Sequence, residues 1–588
     1  MTTTHTMTAT AHDRFAPDAA LTPLVRRFFQ RAVDTPDAMA FAVYPRGAST
    51  PAATLTWGAW SRLVRAAAAQ LFAAGIERGD RVVVLAGNRA IWPVADLAIQ
   101  AVGAVGVGVY PSSTDAQLDA LLQDSGARWL FTDDVAQAAR VAVAGVHAPA
   151  LVGIVLDARD DTVSRPAGVH AFDAWCADGE ARLAQDAALG AQLDARVSAV
   201  TADDLAALIY TSGSTGVPKG AGISHRYLAA SAQSIAEVLE LTAADRSLSF
   251  LPYSHAAERI FGQCTRILTG MASALIEDPA DLFTVAAHFR PTLFGALPRI
   301  FERLYEAADV ARQHGGSARD AITARIGDAV RIATSGGAAL PVTIAETLDT
   351  LGLRILGAYG QTEHLCVAMN RPAAPRFDTV GLPMPGTEVR VADDGELLVR
   401  RSALTFSGYW QRDDETRAAF TDDGTWLHTG DRAVVLEDGS LRITGRVKEL
   451  IALSTGRKIA PLPIEAALTA TPYIAHAVCH GEGRKFLVAL LSPRRAMLEA
   501  WAASQGESTP WPALASQPSV RALLETHVSA VNATLARTDR IVAFAITADE
   551  FTQENGLLTP TFKVVRRAAD ARYAGAFASL YARVEAAS

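Results

Sequence analysis

The chain has 588 residues, 50% of them hydrophobic and 20% charged, which supports a large buried core and excludes an intrinsically disordered protein. Such a length predicts several domains, or one large domain with smaller ones attached. The formal net charge of −8 gives no electrostatic support for nucleic-acid binding, and no C-x-x-C pair joins the scattered Cys176, Cys264, Cys366 and Cys479, so neither a zinc site nor a disulfide framework is signalled.

The cysteine usage fits a reducing, cytoplasmic setting. The opening stretch "MTTTHTMTATAHDRF" is polar and threonine-rich, lacks the apolar stretch of a signal peptide, and reads as a disordered lead-in over residues 1–20. No apolar run is long enough to span a bilayer, while peripheral membrane contact stays open.

From Thr56, "TWGAWSRLVRAAAAQLFAAG" places Trp60, Val64, Ala67, Ala68 and Leu71 on one helical face, closed by Gly75. "DRVVVLAG" reads as a buried strand, "PVADLAIQAVGA" as a second helix and "VGVGVYP" as a second strand. The alternation continues through "ARWLFTD", "LVGIVLD" and "ALIYTSG", the pattern of a parallel sheet with helices on both faces.

"LIYTSGSTGVPKGAG" (Leu208–Gly222) then interrupts the pattern with glycines, hydroxyls and Lys219. A flexible linker has this composition. The apolar run before it and "RYLAASAQSIAEVLEL" after it instead predict a strand–loop–helix unit, a usual setting for phosphate. The Walker pattern fails, because Pro218 and Gly220 flank the lysine where glycine and a hydroxyl are required; this argues against an ordinary P-loop ATPase.

After about Gly381, "EVRVADDGELLVR" and "RAVVLEDGSLRITG" predict hairpins turning at Asp394–Gly395 and Asp438–Gly439. The last segment mixes helices with strands such as "FLVALLSP" and "IVAFAIT", and the boundary before it falls at Arg446–Glu449.

Six motifs occur in order: "YTSGSTGVPKG", "SGGAALP" (Ser335–Pro341), "AYGQTE" (Ala358–Glu363), "WLHTGD" (Trp426–Asp431), "GRVKELI" (Gly445–Ile451) and "NGLLTPTFKVVRR" (Asn555–Arg567). With them the chain resembles the adenylate-forming superfamily from about Leu24 to Leu580. Through "GVGVYPSST", "LPYSHAAERI" and "LPRIFERLYE" it is most similar to the long-chain fatty acyl-CoA synthetases. The resemblance implies an α/β fold: a large N-terminal α/β body with an antiparallel β subdomain (residues 21–446) and a small mobile α+β C-terminal domain (447–588).

It also implies a ligase that uses a small-molecule carboxylic acid, ATP, magnesium and coenzyme A. The acid would attack the α-phosphate to give an acyl-adenylate, and coenzyme A would take the acyl group. An acyl-AMP ligase or adenylation enzyme loading a carrier protein, and a catalytically silent nucleotide-binding module, stay open beside it, as does a homodimer.

By the same resemblance, Thr211, Ser212, Gly213, Ser214, Thr215, Gly216 and Lys219 hold phosphates. Tyr359 and Gly360 lie against adenine, Gln361 beside them binds the cofactor, and Thr362 and Glu363 serve magnesium, which needs few carboxylates beside phosphate oxygens. Asp431 matches a ribose-binding aspartate, Arg446 a nucleotide-contacting arginine, Lys448 a hinge, and Gly456 a pantetheine-path residue. Lys563 matches a mobile catalytic lysine; taken alone, "TFKVVRR" is only a basic exposed face. His255 falls beside the acyl and pantetheine path, while Gly336 and Gly337 shape the acyl pocket. Ala221–Gly222, His364–Cys366 and Arg457–Lys458 depart from the family pattern, and two ligands in His364 and Cys366 are too few for a metal.

Overall fold

The computed structural model describes residues 7–8, 21–143, 151–157, 168–211, 218–559 and 563–587. The strands expected from the alternating pattern form one eight-stranded sheet. Leu205–Thr211, Val105–Val109, Arg81–Leu85, Trp129–Thr132, Gly153–Leu156 and Val169–Ala171 run parallel and adjacent in that order. The helix Trp57–Ala73 begins where the Thr56 hydroxyl accepts from the Ala59 N–H at 3.1 Å, and it buries Trp60, Val64, Ala67, Ala68 and Leu71. N-cap bonds of this kind satisfy one of the donors a helix start leaves over.

One local expectation is overturned. The segment after the glycine-rich loop is a strand, Lys219–Ser224, antiparallel to Leu205–Thr211, and only then does the helix His225–Val238 begin. The flanks of the loop are therefore the two arms of a β-hairpin, and Lys219 opens a strand rather than a helix. Alternation explains the difference: Gly220 and Gly222 are small enough to pack closely, while Ala221 and Ile223 are fully buried. The Gly408–Tyr409 strand pairs with its outer edge.

A second sheet, Arg246–Ser249, Ala272–Ile276, Met39–Tyr44 and Ala53–Thr56, and a third, Leu293–Ala296, Ile332–Ser335, Ile355–Gln361, His364–Met369 and Leu382–Pro383, complete the α/β body. The antiparallel unit follows. Glu388–Val391, Glu396–Arg400, Trp426–Val435 and Leu441–Arg446 form a meander whose turns contain Gly395 and Gly439 at positive φ. Met7–Thr8 pairs with its outer strand, and the rest of the expected lead-in lies outside the described residues.

Past Val447–Glu449, a single helical turn, come the hairpin Ile451–Ala452/Lys458–Ile459 and the sheet Ile474–His480, Leu487–Pro493 and Ile541–Ile546. Their apolar side chains cluster with one another, from Ile451 to Tyr581. Among the described residues no helix is long and apolar enough to cross a membrane.

The glycines of "VGVGV" have a packing reason. A Cβ on Gly106 would lie 2.5 Å from an Arg259 Nη atom, and one on Gly108 would lie 2.9 Å from the Ser254 Cα. Both partners belong to the segment leading into and forming the π-helix Ala257–Cys264, which lies against this strand. The Arg259 guanidinium is fully buried, pairs with buried Asp96, donates to the Gly106 carbonyl at 3.2 Å and sits 5.4 Å from the Trp92 ring. Gln263 and Gln100 donate to the other Asp96 oxygen at 2.7 and 3.1 Å.

Losing one member of a buried pair leaves a charge with no water and no partner. Asp96→Leu is therefore expected to lower stability by about 3–5 kcal/mol. The double change Asp96→Leu with Arg259→Met should cost clearly less, with both read from urea unfolding by tryptophan fluorescence. Equal losses for the single and double variants would refute this account of the pair.

Candidate active site

A cavity of about 3050 Å³ lies between the α/β body, the antiparallel unit and the C-terminal segment. Thr211, Lys219, His255, Gly336, Gly337, Tyr359, Gly360, Gln361, Thr362, Glu363, Asp431, Arg446, Lys448 and Lys563 all line it. Ser212, Gly213, Ser214, Thr215 and Gly216 lie outside the described residues. Their flanks are placed: Thr211 and Lys219 are cross-strand partners, so the hairpin brings both ends of the loop to the cavity wall.

Gly456 does not line the cavity. It turns the hairpin after Ile451–Ala452 at φ +83°, with nothing within 4 Å of where a Cβ would be. Its place in the fold is that of a turn glycine, since positive φ suits glycine.

The "YGQTE" motif is the end of one strand and a tight turn. Gln361 pairs with His364 across it, leaving Thr362 and Glu363 at the tip. The buried Tyr227 hydroxyl clasps this turn, donating to the Thr362 carbonyl at 3.0 Å and accepting from the Leu365 N–H at 2.7 Å. A Cβ on Gly360 would come 1.7 Å from the Leu365 oxygen, so only glycine fits there. Among the described residues, Gln361 Nε2 and Ser335 Oγ are buried at the wall with no hydrogen-bond partner.

Asp431 gathers the other polar groups. Its Oδ2 accepts from the Tyr359 phenol at 2.7 Å, and Oδ1 lies 3.3 Å from Arg446 Nε. Asp431 and Arg446 are themselves cross-strand partners. Burial pushes the Asp431 carboxyl above the usual carboxylate range, opposed by the Tyr359 phenol, Arg446 and Lys563. Burial likewise lowers the Lys563 ammonium, with Arg446 adding to the drop and Asp431 and Glu449 opposing it. The lysine from the last motif thus faces the aspartate from the fourth.

His255 is held in a turn, its Nδ1 accepting from the Ala257 N–H at 3.1 Å, which leaves the ring proton on Nε2. Burial first, and Lys563 second, lower its pKa to about 4, so the ring is neutral near pH 7. His364 and Cys366 sit on a buried strand. His364 Nε2 is 3.0 Å from the Thr387 hydroxyl, and burial lowers its pKa to about 3.

The chain resembles known proteins over most of its length. Residues 28–410 match the model of the AMP-binding enzyme family, and residues 448–585 match that of the AMP-binding enzyme C-terminal domain. The chain belongs to the AMP-binding enzyme family. It is 32% identical to the long-chain-fatty-acid–CoA ligase FadD15 of Mycobacterium tuberculosis, over 94% of this chain and 96% of that protein. It is 27% identical to the peroxisomal long chain acyl-CoA synthetase 7 of Arabidopsis thaliana, over 90% and 82%.

Among solved structures, the anthranilate CoA ligase AuaEII with anthranoyl-AMP matches at a TM-score of 0.74 and 20% identity, covering 94% of this chain and 98% of that one. The adenylation–carrier didomain of the carboxylic acid reductase from Segniliparus rugosus, with AMP, matches at 0.74 and 21%, covering 97% and 84%. These two likenesses concern the fold.

In this family member, sequence reasoning passed over Tyr409. Its phenol donates to Glu363 Oε1 at 2.6 Å, and its ring lies 5.4 Å from Lys219 Nζ. One aromatic residue thus touches both Lys219 of the hairpin and the acid of the tight turn. The only sequence signal was an aromatic pair in "SGYW", with nothing to say what it faced.

The depressed histidine pKa has a stability consequence of definite sign. His364 is neutral in the fold down to about pH 3, whereas the unfolded side chain takes up a proton near 6.5. Its contribution is complete above pH 6.5 and is lost as the pH falls from there through about 3. Wild type should therefore lose more thermal stability than His364→Gln between pH 7 and pH 4.5, measured by calorimetry. Parallel losses would mean that the buried imidazole titrates no differently from an exposed one.

Proposed function

We propose that the chain is an ATP-dependent ligase that activates a fatty acid, of the long-chain class, and passes the acyl group to coenzyme A. The observation that carries the reading is the convergence on one cavity of Lys219, Glu363, Asp431, Arg446 and Lys563, five residues from five separate motifs. Relatives that match nearly the whole chain are named long-chain-fatty-acid–CoA ligases, which supports the substrate class.

In this reading the acid's carboxylate attacks the α-phosphate of ATP, forming the acyl-adenylate and releasing pyrophosphate. The sulfur of coenzyme A then attacks the acyl carbonyl, forming the thioester and releasing AMP. Lys219 and the hairpin loop hold the β- and γ-phosphates, and Asp431 accepts from the ribose hydroxyls. Lys563 stabilises negative charge developing between the carboxylate and the α-phosphate; a fixed cation in a cavity shielded from water does this far better than one in water.

Magnesium, when bound, would neutralise phosphate charge. A single carboxylate beside phosphate oxygens suits it, and Glu363, with Thr362 next to it, would supply that side. Tyr409, bonded to Glu363, keeps that carboxylate oriented.

Lys563 and Gly456 serve different half-reactions, with Lys448 as the hinge between them. The present arrangement has Lys563 at the cavity and Gly456 away from it, which supports assigning it to adenylation. Hinge residues absorb the dihedral change of such motions.

A pyrophosphate-release screen over carboxylic acids, run with and without coenzyme A, tests the reaction. An acyl-CoA product is expected, and adenylate that is never transferred to coenzyme A would favour a carrier-loading enzyme. Within it, Lys219→Ala should weaken use of ATP by about 1.5–3 kcal/mol, roughly ten- to a hundredfold in kcat/KM, because charge-assisted contacts to phosphate are the strong ones. Unchanged ATP kinetics would reduce the loop to a linker.

A second pair of variants separates the steps. Lys563→Ala should lose adenylate formation yet still convert supplied acyl-adenylate and coenzyme A to thioester. Gly456→Trp should do the reverse. Equal loss of both half-reactions in both folded variants would mean one static site.

A further inference from the structure

The "LPRIFERLYE" stretch has a feature that neither half-reaction uses. It forms the start of the helix Pro298–Gln313, on which Glu302 and Glu306 sit four residues apart and therefore on one face. Two carboxylates so placed repel each other unless a cation lies between them. Arg299, one turn earlier and half exposed, reaches Glu302 at 3.0 Å and Glu306 at 3.6 Å. The second cation comes from the C-terminal segment: Arg494 Nη1 lies 2.8 Å from Glu302 Oε2 and 3.4 Å from Glu306 Oε1.

Arg494 is not an ordinary surface partner. Its side chain is only 4% exposed. It follows the strand Leu487–Pro493, its backbone N–H donates to the Tyr473 carbonyl at 2.9 Å, and its Nε donates to the Ile474 carbonyl at 3.2 Å. Its own body therefore aims the guanidinium outward before any contact is made. Among the described residues, both carboxylates paired with it belong to the α/β body. A buried guanidinium needs a carboxylate partner, so this arrangement holds together only while the two bodies are docked. Beside it, the Thr343 hydroxyl donates to the Ala470 carbonyl at 3.4 Å, a second contact across the same seam.

We infer that Arg494, clamped between Glu302 and Glu306, is a positioning residue: a latch that holds the C-terminal body in the orientation that keeps Lys563 at the cavity. The inference rests on the two-orientation reading given above. The latch carboxylates lie on a helix, away from the strands that carry Asp431 and Arg446, and the latch has no hydrogen bond or ion pair with Asp431, Arg446 or Lys563 among the described residues. It acts on adenylation through the placement of Lys563, and it must open when the body turns. Exposed ion pairs contribute little to such a balance, whereas removing one member of a buried pair leaves an uncompensated charge that penalises the docked arrangement.

The test uses the full chain and three readouts: the rate of pyrophosphate release with acid and MgATP but no coenzyme A, the rate of thioester formation from supplied acyl-adenylate and coenzyme A, and cross-linking by a short bismaleimide of a Thr343→Cys, Ala470→Cys pair. The four native cysteines are buried and leave the pair as the reactive thiols. Arg494→Met, which keeps the stem and removes the charge, should slow the first step tenfold or more, leave the thioester step unchanged or faster, and lower the cross-link yield. Arg494→Lys should restore most of the first step, and Glu302→Gln with Glu306→Gln should reproduce Arg494→Met.

An unchanged first step, or an equal fall in both steps with the cross-link intact, overturns the latch. If wild type makes adenylate but no acyl-CoA, the choice of acceptor fails, while the first-step rate and the cross-link still decide the latch.

Discussion

Asp431 is a partly buried carboxylate held from three directions. The Tyr359 phenol bonds one oxygen at 2.7 Å, Arg446 lies 3.3 Å from the other, and Lys563 faces it from the C-terminal body. Burial alone would favour the protonated acid; the phenol and the two cations oppose that. The three partners come from the third sheet, the antiparallel meander and the last eighth of the chain. Ionisation of Asp431, the height of the Lys563 pKa and the docking of the C-terminal body are therefore one coupled problem. Whatever moves that body withdraws a cation from the aspartate and returns a half-desolvated lysine to water.

The rest of the cavity is built by close backbone approach. Gly360 lets the "YGQTE" strand turn back onto Leu365, and Gly106 and Gly108 let the π-helical segment, with its buried guanidinium, lie directly on the central sheet. Wider helical turns of this kind are frequently found at functional sites. Here the segment follows His255 and places Glu258, Phe261, Thr265 and Arg266 along one wall, with Glu258 and Arg266 paired at 2.6 Å. Lys219 begins the second arm of a hairpin, not a helix. In the proposed reading the local cation therefore supplies the attraction for phosphate that a helix dipole would otherwise provide.

Much of this was legible because it is local. The helix Trp57–Ala73 follows from the spacing of Trp60, Val64, Ala67 and Leu71, and the two Asp-Gly turns follow from the need for positive φ at Gly395 and Gly439. The strand Lys219–Ser224 was missed because "KGAGIS" carries two glycines and no β-branched run, and it becomes a strand through its pairing with Leu205–Thr211. Tyr409 showed only as half of an aromatic pair, and Arg494 carried no pattern. Each matters through what it faces across the fold: Glu363 for one, Glu302 and Glu306 for the other.

The sequence by itself determined the class of the fold, the order of its elements and the residue types available for phosphate, ribose and carboxylate chemistry, since periodicity, turn residues and motifs are properties of neighbours along the chain. Only the tertiary structure decided which of those residues share a cavity. It brought Lys563 to Asp431 across more than a hundred intervening residues, left Gly456 outside, and set Arg494 against two glutamates of another body. The reason is that charge and burial act through space. A lysine, an aspartate or an arginine has no role until the fold fixes how much water it loses and which partner replaces it.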